Sequence, residues 1–74
     1  MDKQQIAHTL EKEIVEIDKT LTKLCYVRNQ TIDTFYAREL NDVINKLIAH
    51  KQKLENIVTN IVEDAKHFNP NFNR

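Results

Sequence analysis

From Met1 to Asn69 the chain contains no glycine and no proline; its only proline is Pro70. Tight turns depend on those two residues, because glycine supplies positive φ and proline pre-sets the turn dihedral. A fold with many strands and hairpins is therefore hard to build here. The residues present instead are good helix formers (Glu, Lys, Gln, Leu and Ala) diluted by Ile, Val, Asn and Thr. The composition points to an all-α chain.

Apolar spacing agrees. Leu10, Ile14, Ile17, Leu21 and Leu24 follow one another by four, three, four and three residues, and Ala7 extends the series backwards. Further on, Tyr36, Leu40, Val43 and Leu47, then Leu54, Ile57, Ile61 and Phe68, keep the same rhythm. This is the seam of helices packed side by side at a shallow angle. Ile44, Val58 and Ala65 widen the second stripe to the breadth of a bundle helix. His50 falls between Leu47 and Leu54, and on this counting it occupies a seam position as a polar layer.

Between the two stripes lies Arg28-Asn29-Gln30-Thr31-Ile32-Asp33, where Thr31 or Asp33 can cap a following helix. The pattern predicts helices over about 3–28 and about 33–67, folded as an antiparallel two-helix hairpin. The rival is one continuous helix, because Leu24, Arg28, Ile32, Tyr36 and Leu40 are spaced by four. Residues 1–74 read as a single domain in which 69–74, opening on Asn69-Pro70-Asn71, form a loose tail.

Seventy-four residues lie near the lower limit for one self-sufficient core. Cys25 is the sole cysteine, so no intrachain disulfide can staple the chain. A closed zinc site needs four ligands, and one Cys with three scattered His is a poor source. The expected stabiliser is a partner chain, completing a four-helix bundle by dimerisation or with another helical protein. Helix lengths add to this. At 1.5 Å per residue the predicted helices span roughly 39 and 52 Å. The excess would leave about two turns near Ile57 to Phe68 without a mate. Leu47, Leu54, Ile57, Val58, Ile61 and Phe68 are accordingly the expected partner-binding residues, each worth on the order of 1.5–3 kcal/mol when fully buried.

Catalytic, cofactor and metal sites are not expected. Without glycine there is no glycine-dependent phosphate cradle. Asp64 and His67, with Glu63, form an acid-x-x-His pairing, and His8 with Glu11 forms another in reversed order. Di-metal bundles need two such pairs plus further carboxylates in one core; these read as surface polar residues. No base and acid accompany Cys25, which reads as a small boundary hydrophobe.

Eleven basic residues balance eleven acidic ones, mixed along the chain. Nucleic-acid binders of this size draw affinity from a basic excess. A helical dimer presenting Lys46, Lys51 and Lys53 to phosphates is thus an alternative of second rank. The amino terminus is polar and no apolar run is long enough to span a membrane. A cytoplasmic protein is expected.

Ala37-Arg38-Glu39-Leu40-Asn41, followed by Val43-Ile44, resembles the Ser-Gln-Glu-Leu-Asp motif of the small two-helix aspartyl-phosphate phosphatases of sporulation control. The resemblance covers about ten residues and implies a helical hairpin that docks on a response regulator. Ala37, Arg38 and Asn41 depart from it at the Ser, Gln and Asp positions. The function expected from the residues themselves is a non-enzymatic adaptor, co-chaperone or inhibitor that binds a protein through an apolar helix face.

Overall fold

A computed structural model describes residues 1–67, with side chains through residue 65. Two helices, α1 (Lys3–Gln30) and α2 (Thr34–His67), pack against each other as a hairpin. The break at residues 31–33 excludes the continuous helix. Phe68 and the tail 69–74 lie outside the described residues.

Both helix starts are capped. The Asp2 carboxylate accepts from the Gln5 backbone N–H at 2.8 Å, while the Gln5 side chain accepts from the Asp2 N–H at 3.0 Å. That reciprocal capping box satisfies two otherwise unpaired donors. At the turn, the Thr31 N–H donates to the Arg28 carbonyl and its hydroxyl to the Val27 carbonyl, which closes α1. Of the two candidate caps, Asp33 is the one used, its Oδ1 accepting from the Tyr36 N–H at 3.2 Å. Three residues reverse the chain without positive φ, so glycine is not needed.

Three contacts fix the register: Lys3 with Asp64, Asp18 with Lys51, and Arg28 with Asn41. Paired residue numbers thus add to between 67 and 69. The residues withdrawn from solvent fall into the same register. On α1 the seam series is Ala7, Leu10, Ile14, Ile17, Leu21, Leu24 and Arg28, followed by Thr31 in the turn, with Ile6 and Cys25 half-buried beside it. On α2 the series is Ala37, Leu40, Ile44, Leu47, Lys51, Leu54, Val58 and Ile61. Each series alternates steps of three and four, a heptad seam whose facing positions are a and d. Ile17 stands opposite Lys51, Leu24 opposite Ile44, and Ile14 opposite Leu54.

The structure therefore shifts the α2 seam from the one the spacing suggested. Ile44 and Val58 are central, whereas Tyr36, Val43 and Ile57 are exposed. His50 is exposed as well, and the polar seam residue is its neighbour Lys51. The cause is degeneracy. Positions g and d alternate by four and three just as a and d do, so two stripes sharing the leucines of position d have one rhythm.

The overhang does not form either. Lys3 Nζ lies 3.2 Å from Asp64 Oδ2, so α1 begins beside the last described turns of α2. The extra length of α2 is taken up at the other end, where its first turn runs beside the linker. Val58 and Ile61 are half-buried rather than unmated.

A two-helix core is nonetheless thin. Only Ile17 and Ile44 are buried among the described residues, at 5% and 3% exposure, and the other seam residues are half-buried. The molecule is a rod of 63 × 17 × 16 Å with a radius of gyration of 17.6 Å. A compact chain of this length would have a radius of about 11 Å.

Candidate interaction surface

Seam packing leaves the hairpin with two long edges of different chemistry. One is built from the e positions, chiefly Glu11, Asp18 and Cys25 of α1 with Asn41, Ile48, Glu55 and Val62 of α2. The other is built from the g positions, Ile6, Glu13, Thr20 and Val27 with Tyr36, Val43, His50, Ile57 and Asp64.

The two cations embedded in the seam both reach toward the e edge. Lys51 Nζ lies 2.6 Å from Asp18 Oδ1 and 3.8 Å from Glu55 Oε2. Its aliphatic stem covers the seam opposite Ile17 while the ammonium reaches water's edge, as long basic side chains do on apolar surfaces. The hydrogen bond to Asp18 raises the Lys51 pKa above its ordinary 10.5. Desolvation opposes this, and attraction to Asp18 and then to Glu55 adds to the rise. One turn from the hairpin end, an Arg28 terminal nitrogen donates to Asn41 Oδ1 at 3.0 Å and its other donors reach Asn29. The e edge carries these paired polar groups, with Ile48 and Val62 exposed among them. Its shallow hollows are lined by Glu11, Ile14, Glu55 and Val58 in one place and by Asp18, Leu21, Cys25 and Tyr26 in another.

The g edge receives neither of these two cations. Among the described residues its cross-helix ion pair is Lys3 with Asp64, at the open end of the rod. Tyr36, Val43 and Ile57 stand exposed at heptad spacing along α2, with His50 in the fourth place, and Val27 of α1 is exposed beside them. At the turn, Ile32 is 96% exposed and Phe35 meets Tyr36 edge-on with ring centroids 5.1 Å apart. Exposed apolar residues scattered singly are normal, whereas these fall in one row along α2, interrupted by His50.

The residues expected to bind a partner divide between these surfaces. Leu47, Leu54, Val58 and Ile61 lie on the intramolecular seam and are half-buried, whereas Ile57 is exposed on the g edge. Phe68 is outside the described residues. The row Tyr36, Val43, Ile57 was not separated from the seam by spacing. The one signal that distinguishes them is that α2 carries apolar residues at a, d and g together.

Other candidates are dispersed. Lys46 and Lys53 are exposed, but Lys51 is engaged by Asp18 and Glu55, so the three lysines share no common face. Asp64 pairs with Lys3, and no cluster of three metal-ligating side chains occurs among the described residues; the His67 side chain lies outside them. In the segment resembling the phosphatase motif, Ala37 is a seam residue and Asn41 accepts from Arg28. Among the described residues no helix is long and apolar enough to cross a membrane.

Comparison with protein-family profiles, with characterised proteins and with solved structures finds no match. The functional reading therefore rests on the residues and their geometry.

Proposed function

We propose that this chain is a small, non-enzymatic interaction module, an adaptor, co-chaperone or inhibitor, that binds a protein through the apolar edge of α2. The observation that carries the reading is the asymmetry of the hairpin. Arg28 and Lys51 extend to the e edge, while the g edge presents Tyr36, Val43 and Ile57 to solvent. A helix that is apolar at a, d and g has one face for its hairpin mate and a further strip for another helix. Leu47, Leu54 and Ile61, half-buried at d, border that strip and join it to Ile57. The partner is a protein chain that offers a helix or a helical groove, the helix-packing mode of recognition. The cytoplasm is the proposed location, for which Cys25 as a free thiol is the supporting feature.

The test compares two double variants in a pull-down from the source cell, using the immobilised chain at several concentrations. V43E/I57E should lose its bound proteins, including further copies of the chain, and keep its helical circular dichroism. I48E/V62E, on the opposite edge, should retain them. Equal retention by both variants would contradict the proposal.

A further inference from the structure

The partner class can be narrowed to one occupant. We infer that the g edge of α2 is covered by the same edge of a second copy, in an antiparallel arrangement that makes a two-fold symmetric four-helix bundle. This rests on the proposed interaction function and goes beyond it in naming the partner and the register.

Area comes first. The chain exposes 6099 Å². A compact monomer of this mass would expose about 4,800 Å², so the rod carries an excess of about 1,300 Å². Two copies burying that excess would hide about 2,600 Å² in all, within the range of obligate homodimers. The excess is thus of the size that one further copy removes.

Symmetry comes second. A two-fold interface must be complementary to itself, since each contact occurs twice. The d and g positions of α2 read Tyr36, Leu40, Val43, Leu47, His50, Leu54, Ile57 and Ile61. Reversed onto itself about an axis midway between Leu47 and His50, this series pairs every d with a g. Tyr36 of each copy stands opposite Ile61 of the other, Leu40 opposite Ile57, and Val43 opposite Leu54. Leu47 then stands opposite His50, so the one polar residue of the strip lies beside the axis. The same alternation of d and g builds the a and d seam within the hairpin, with α1 as the mate. No other centring of the strip uses all eight residues.

Charge is permissive. The chain has zero formal net charge, so two copies meet without global repulsion. On α1, Ile6 and Val27 share the g edge and, by the hairpin register, flank the two ends of the strip. Thr20 lies level with its polar middle, and Glu13 level with Leu54. The e edge is less suited to self-pairing, because Asp18, level with the middle of α2, would stand beside its own copy about a central axis.

Light scattering over a wide concentration range tests the assembly, and cross-linking tests the register. The wild-type chain should have twice its 8.8 kDa chain mass. V43E and I57E should each return to the single-chain mass, whereas I48E should remain a dimer. In a Cys25→Ser background, His50→Cys should cross-link to its own copy with a short bismaleimide. Ile57→Cys should not, since the two sites would lie about 25 Å apart along the axis in an antiparallel pair; it should cross-link in a mixture with Leu40→Cys. A helical wild-type chain that stays monomeric would overturn the second copy as occupant. If V43E/I57E still lost a different captured protein while I48E/V62E retained it, the interaction function itself would survive. A dimer dissociated by I48E but not by V43E would overturn the assigned edge, and self-cross-linking of Ile57→Cys would overturn the antiparallel register.

Discussion

The two edges of the hairpin are made by the same two helices, flank the same seam and differ in what the seam sends to them. On the e edge, Lys51 meets Asp18 and Glu55, and Arg28 meets Asn41. On the g edge the neighbouring places are Val43, Ile57 and Tyr36, all exposed. A solvated edge needs nothing further. An apolar one of this length is stable in water only at the cost of exposed hydrocarbon, roughly 25 cal/mol for each Å² left uncovered. The difference shows that the polar substitutions in the seam do more than weaken it. By extending in one direction only, the two cations place their charge on the e edge and none on the other.

Five substitutions break or sharpen this contrast. The largest effect belongs to Ile61→Asp, at a d position shared by the hairpin seam and the apolar edge. An unpaired carboxylate forced between them costs more than a thin core can sustain. Loss of both assembly and helical circular dichroism is expected. Next is Ile44→Ala, which truncates one of the two buried residues and should cost about 2–4 kcal/mol in urea denaturation. Val15→Ala, on an exposed face, should stay within about 0.5 kcal/mol of wild type in the same measurement.

A change smaller than that of Ile44→Ala follows from Asp33→Ala. Removing the cap that accepts from the Tyr36 N–H should lower stability by about 1 kcal/mol, read as an earlier urea midpoint. The least perturbing is Lys51→Leu, which completes the seam opposite Ile17 and should raise the midpoint slightly while leaving the g edge untouched. It also isolates a pH effect. Because Lys51 has its pKa raised in the folded chain, its contribution is present below its ordinary 10.5 and is lost as pH climbs through the higher folded value. Wild type should therefore weaken in that alkaline window by an increment that Lys51→Leu lacks.

The fold was legible because its determinants are local and redundant. Absence of glycine and proline, a four-three apolar rhythm and a polar break ending in Asp33 all point to the same hairpin, and the predicted boundaries fall within two residues of those found. Asp2 with Gln5 was an available capping signal that extends α1 to its first residues. The phase of α2 was not legible from spacing alone. Tyr36, Val43 and Ile57 alternate with the shared leucines by four and three, as Ala37, Ile44 and Val58 do by three and four. Only the position of α1, fixed by contacts between residues far apart in sequence, decides which row faces inward. The supposed two-turn overhang failed for a related reason. Helix length was counted correctly to within two residues at either end, but the turn consumes the start of α2, so Asp64 still finds Lys3.

The most direct test of the edge contrast is solvent accessibility measured side chain by side chain. Methyl-labelled chain at a concentration that saturates its assembly, examined by nuclear magnetic resonance with a soluble paramagnetic agent, reads both edges in one spectrum. The account predicts that Val43 and Ile57 are shielded while Ile48 and Val62 are strongly attenuated. Equal attenuation of all four would contradict it, showing that the apolar edge is as open to water as the polar one.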